Sequence, residues 1–140
     1  MSSIVSILCI GIDFDWTQAN LGDKVDLSKI RAAVLNSFTE LQKRPGVGCE
    51  MYTIVPDKKE SFDEVTAKLR AGYDGKPWSG VSIGWGLRGN AKLTSLFETL
   101  VNTIKDETPQ SRILFTSPEA NQLESVERNF PHIQRPSDPA

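Results

Sequence analysis

The chain alternates short apolar runs with stretches whose apolar positions recur every three or four residues, the pattern of parallel β/α construction. Residues 3–12 (SIVSILCIGI) are β-branched and almost continuously apolar, which fits a central strand covered on both faces. Asp26 predicts the cap of a first helix with apolar positions Leu27, Ile30, Val34, Phe38 and Leu41, stopped by Pro45-Gly46. Residues 49–55 (CEMYTIV) read as a second strand closed by Pro56. Ser61, with Glu64 three residues on, reads as a capping box opening a second helix that turns Phe62, Val65 and Leu69 inward. Residues 72–80 (GYDGKPWSG) are turn chemistry, and residues 81–85 (VSIGW) are a third strand with a glycine-rich exit at 86–90.

Asn90 predicts the cap of a third helix carrying Leu93, Leu96, Phe97, Leu100, Val101 and Ile104 inward. Residues 112–116 (RILFT) are a fourth strand, and Ser117-Pro118-Glu119 reads as the start of a last helix burying Leu123, Val126 and Phe130. Residues 131–140 hold three prolines and read as a loose tail after a single domain at 1–130. Right-handed crossovers then give a three-layer, doubly wound α/β domain with sheet order 2-1-3-4, of Rossmann-like or flavodoxin-like layout. The fourth strand would be an open edge, covered by the tail or by a second copy in a homodimer.

Composition fits this picture. The 140 residues are 39% hydrophobic and 24% charged, enough for one core. Sixteen basic against eighteen acidic residues leave −2, with no basic excess to neutralise a phosphate backbone, so nucleic-acid binding is disfavoured. The longest apolar runs are strand-length, short of the ~20 residues of a membrane helix. Residues 1–3 carry no basic stretch of a secretory signal, so a cytoplasmic location is expected. Cys9 reads as a buried hydrophobe and Cys49 as an unactivated thiol, with no disulfide expected in a reducing compartment. Two cysteines and one histidine, His132, exclude a zinc site made of those residue types alone, and no cofactor is implied.

In open parallel sheets the ligand crevice lies beyond the carboxyl ends of the strands, where winding reverses. Three loops converge there: Asp13 to Trp16, Trp85 to Asn90, and Thr116-Ser117. The amides of Gly86 and Gly89 and the Asn90-capped helix start form a candidate anion cradle, with Arg88 as a planar donor fork; alternatively Arg88 pairs with Asp13 or Asp15. Asp13 and Asp15 are candidate acid–base groups, or simply solvate the loop. Trp16 and Trp85 could flank a flat ligand, and Thr116 and Ser117 add hydroxyls or cap the last helix. A Ser117–His132–Asp triad would need the tail folded back over the crevice.

The layout resembles response-regulator receivers, with acidic residues after the first strand and Thr116 ending the fourth. The phosphoacceptor Asp of receivers is replaced here by Trp85-Gly86, and their fifth strand with its Lys is missing. It also resembles flavodoxins in its paired aromatics, but residues 11–17 lack the flavodoxin phosphate loop. Residues 81–88 (VSIGWGLR), 96–104 (LFETLVNTI), 109–118 (PQSRILFTSP) and 126–130 resemble short single-domain α/β proteins of fungal and bacterial genomes. That resemblance implies the fold and brings no substrate, cofactor or catalytic residue. Two function classes follow from the residues. One is a binding module for an anionic small molecule or a protein partner. The other is a small cofactor-independent isomerase, lyase or hydrolase using Asp13 or Asp15, with Arg88 stabilising an anion.

Overall fold

A computed structural model describes residues 4–133. Four parallel strands, β1 (Val5–Ile12), β2 (Val47–Ile54), β3 (Gly80–Ile83) and β4 (Arg112–Phe115), form one sheet in the order β2-β1-β3-β4. Helices α1 (Phe14–Leu21), α2 (Leu27–Lys43), α3 (Lys59–Ala71), α4 (Trp85–Arg88), α5 (Thr94–Glu107) and α6 (Gln122–Asn129) complete the described chain, with a short 3-10 turn at Ala91–Leu93. No helix among the described residues is long and apolar enough to cross a membrane.

β1 is the axis of the fold. It pairs along its full length with β2 and through Ile7–Ile10 with β3, so residues 5–10 are all buried, as its unbroken apolar run requires. Alternate residues face opposite layers. Leu8 and Ile10 pack with Val65 and Leu69 of α3 and with Leu100 and Ile104 of α5. Ile7 and Cys9 pack with Leu41 of α2 and with Val126 and Phe130 of α6. Gly80 opens β3 because only glycine fits: a Cβ there would stand 2.7 Å from Leu114 and 3.2 Å from the Phe130 ring. Beside it, Ser6 N–H donates to Ser79 Oγ and Ser79 N–H to Ser6 Oγ, both at 3.0 Å, a reciprocal clasp joining residues 73 positions apart.

Several boundaries differ from the sequence reading. Residues 14–21 are helical rather than a loop, because Asp13 Oδ2 accepts from Trp16 N–H and starts a helix there. α3 begins at Lys59, and Ser61 sits inside it instead of capping it; its hydroxyl accepts from Val55 N–H at 2.9 Å and ties α3 to the end of β2. The last helix starts at Gln122, not at Pro118, since Ala120 takes a left-handed φ of 57° that interrupts any helix from 118. Trp78, read as part of a turn, is 1% exposed; its indole N–H donates to Lys68 O at 2.9 Å. The turn before it needs Gly72, at φ 70°, whose absent Cβ would collide with Lys76 O.

The Asp26 cap forms as predicted, on Lys29 N–H, whereas Asn90 accepts from Lys92 N–H and caps only the 3-10 turn, so α5 starts later, at Thr94, without a side-chain cap. The outward-facing Phe115 carbonyl on the β4 edge accepts from Arg128 Nη2 at 3.2 Å, so α6 blunts that edge with a charge. The predicted tail from residue 134 lies outside the described residues. Ile133, within that predicted tail, is 9% exposed and belongs to the core layer beneath α2 and α6.

A candidate ligand cleft at the carboxyl ends of the strands

A cleft of about 510 Å³ opens at the carboxyl end of the sheet, on the layer that carries α2. Its floor is Cys9 and Gly11 of β1 with Met51 and Thr53 of β2, which lie opposite one another in register. Leu27, Ile30 and Val34 of α2 form one wall, and Thr116, Ser117 and Gln122 approach from the far side. α1 closes the top with Phe14, Thr17 and Leu21, three positions on one face of that helix.

The space exists because of Gly11. A Cβ at this position would find only Thr53 Cγ2, at 3.8 Å, within 4 Å. A strand that carries branched side chains at Ile7, Ile10 and Ile12 therefore has a hole on its α2 face just where the sheet ends. The amphipathic periodicity of α2 identifies Ile30 and Val34 as inward-facing, but it does not distinguish a core contact from a cleft wall. Ile30 remains 37% exposed.

The polar groups in this apolar chamber separate into satisfied and unsatisfied. Thr17 Oγ1 donates to Asp13 O at 2.8 Å. Ser117 Oγ is held by Glu119 and Asn121. Asn90 Oδ1 accepts from Lys92 N–H, and its Nδ2 is enclosed with no partner among the described residues. Gln122 Oε1 accepts from buried Ser82 Oγ at 2.7 Å, and its Nε2 end and the hydroxyls of Thr116 and Thr53 have no partner among the described residues. The charged residues of the lining are Lys24 and Lys92, both exposed at the mouth; no carboxylate lines it.

Of the residues singled out from the sequence, Trp85, Gly86, Gly89, Asn90, Thr116 and Ser117 line this cleft together. Asp13, Asp15, Trp16 and Arg88 are not among its lining residues. Asp13 caps α1, Asp15 is exposed in its first turn, and Trp16 packs against the opposite core layer. The two indoles thus do not face each other across the cleft. Arg88 forms no ion pair with Asp13 or Asp15; Nη2 donates to Thr116 O at 2.9 Å and its guanidinium lies 4.7 Å from the Trp85 ring and 5.2 Å from that of Phe115.

His132 follows α6, whose Phe130 packs beside Gly80 at the start of β3. It therefore sits at the opposite end of the sheet from Ser117, and no triad forms. Burial pushes the Cys9 thiol far up, with nearby Cys49 adding to it, and burial pushes Cys49 up to about 11, so both are thiols at neutral pH. No group of three or more His, Cys, Asp or Glu among the described residues could hold a metal ion.

Comparison with protein-family models, with curated proteins and with solved structures found no match for this chain. The cleft is thus read from its own geometry.

Proposed function

We propose that this protein is a binding module for a small amphipathic anion, held with its apolar body in the cleft and its negative end at Lys24 and Lys92. The observation that carries this reading is the composition of the lining. Apolar side chains of β1, β2, α1 and α2 surround the chamber, and its formal charges are two lysines at the mouth, in a chain of net charge −2. A volume of about 510 Å³ is within the ~300–1,000 Å³ of ordinary small-molecule sites. Both ammonium groups are exposed, so their attraction for a carboxylate or sulfonate is screened by water and weakens as salt rises.

Gly11→Val tests this directly. The β-strand backbone accepts valine, whose Cβ would meet only Thr53 Cγ2, at 3.8 Å, and whose bulk would occupy the cleft floor. Fluorescence titration with anilinonaphthalene sulfonate should saturate on the native protein and weaken at least about tenfold in Gly11→Val, at unchanged melting temperature. Equal binding by both proteins would show that the probe sits elsewhere and would remove the proposed site.

A further inference from the structure

Resting on that reading of the cleft, we infer that Thr116 and Gln122 select the ligand by donating hydrogen bonds to an uncharged acceptor oxygen, such as a ketone or amide carbonyl, at the inner end of the apolar chamber. Thr116 is 2% exposed and Gln122 is 9% exposed, and both line the cleft. A hydroxyl and an amide at such depth ordinarily find partners within the protein. Gln122 does so at one end only: Oε1 takes the proton of Ser82 Oγ at 2.7 Å, which holds the head group, while Ser37 Oγ accepts the backbone N–H at 2.8 Å and anchors the main chain. Its Nε2 donors have no protein partner. Thr116 is fixed just as firmly by its backbone, with N–H to Ile83 O and its carbonyl receiving Arg88 Nη2, while Oγ1 has no bond.

Neither group is sealed away from the chamber, so whatever fills the chamber, water or ligand, has to supply its partner. A ligand acceptor does so, and an apolar ligand filling the same space would strip them of water and leave them orphaned. The discrimination is therefore against ligands lacking the acceptor. The group they receive is uncharged because no cationic side chain lines the cleft beside them: Arg88 reaches only the Thr116 carbonyl from outside the lining, and the lysines are exposed. The predicted ligand carries an acceptor inside and its charge outside.

The test uses two ring-matched anions of the same shape, acetylnaphthoate and ethylnaphthoate, which differ by a carbonyl in place of a methylene. Each displaces anilinonaphthalene sulfonate from the native protein, Thr116→Val, Thr116→Ser and Gly11→Val. The native protein should prefer the acetyl probe at least about tenfold. Thr116→Val is isosteric and breaks no internal side-chain bond, so it should fold as the native protein does and bring the preference down about threefold or more, with Thr116→Ser restoring it. Equal affinity for the two probes in the native protein, with both blocked in Gly11→Val, would overturn this inference while leaving the cleft as the binding site. An acetyl preference that persists unchanged in Thr116→Val would also overturn it. Displacement that is indifferent to Gly11→Val would overturn both.

Discussion

Arg44 donates from Nη2 to Glu127 Oε2 at 3.0 Å, joining the end of α2 to α6 beneath the core layer of Leu41 and Val126. The arginine side chain is 6% exposed and the glutamate 26%, and Arg44 Nε and Nη1 have no hydrogen-bond partner among the described residues. The pair is therefore unequal. Glu127→Ala strands a buried cation and should lower stability by about 3 kcal/mol, whereas Arg44→Met removes the desolvated charge and fills its volume, at a cost of about 1 kcal/mol or less. Urea denaturation of the two variants checks the order; a larger loss in Arg44→Met would refute it.

Arg88 supplies a second contrast. Its stacking on Trp85 and its bond to the Thr116 carbonyl hold the loops after β3 and β4 together. Arg88→Ala should cost about 1–2 kcal/mol in thermal or chemical unfolding. It should leave the affinity for anilinonaphthalene sulfonate within about twofold, while Lys24→Glu combined with Lys92→Glu reduces it about tenfold. A binding loss in Arg88→Ala as large as in the lysine variant would put the guanidinium back into the site.

Trp78 anchors the connection between α3 and β3. Its ring packs beside Tyr73, its N–H meets Lys68 O, and Ser111 Oγ donates to its carbonyl at 2.6 Å. Trp78→Ala should destabilise by about 3–5 kcal/mol through the cavity it leaves. Trp78→Phe, which keeps most of the apolar contact and loses the indole bond, should cost about half of that. Equilibrium unfolding followed by far-ultraviolet dichroism distinguishes them.

Alkaline pH should loosen the fold through its thiols. Cys49 ionises near 9.0 when exposed and near 11 in the folded protein, and Cys9 is pushed up further. The native state thus holds protons that the unfolded chain has released. Stability is intact below about pH 9 and falls as pH rises from there, by up to about 1.4 kcal/mol per pH unit for each thiol. Cys49→Ala should roughly halve the pH 9–11 part of that decline, leaving the share of Cys9, and keep neutral stability nearly as it was. Melting temperatures measured across pH 7 to 11 would expose a flat native profile, which would contradict the burial of the thiols.

The elements were legible where one signal dominated. β1 announced itself by an unbroken apolar run, α2 by its period and its cap Asp26, α5 by its period alone, since Asn90 caps the 3-10 turn before it, and the sheet order followed from crossover handedness. α1 was hidden because its apolar residues are divided: Phe14, Thr17 and Leu21 turn to the cleft and Trp16 to the opposite core, so no single stripe forms. Strand-end topology pointed to the end of the sheet where the cleft lies, with Trp85, Asn90, Thr116 and Ser117 in its lining. It gave no warning that the carboxylate of Asp13 would be spent on a cap. Gly11, Thr53 and Gln122 were missed for another reason. What matters in them is an absent side chain or an unused polar end, which depends on tertiary neighbours that local sequence does not record.

The reciprocal clasp of Ser6 and Ser79 sets the tempo at which this chain becomes a protein. The axis of the sheet is synthesised first, yet its second partner arrives 73 residues later, and closing so long a loop carries an entropic cost on the order of 4 kcal/mol. Until β3 docks, the Ile7–Ile10 edge of β1 has no strand to pair with. Assembly is thus gated by one distant encounter rather than by successive local steps, as expected of a topology dominated by non-local parallel pairing. A nascent chain released before Gly80 has both serines but no strand to fasten.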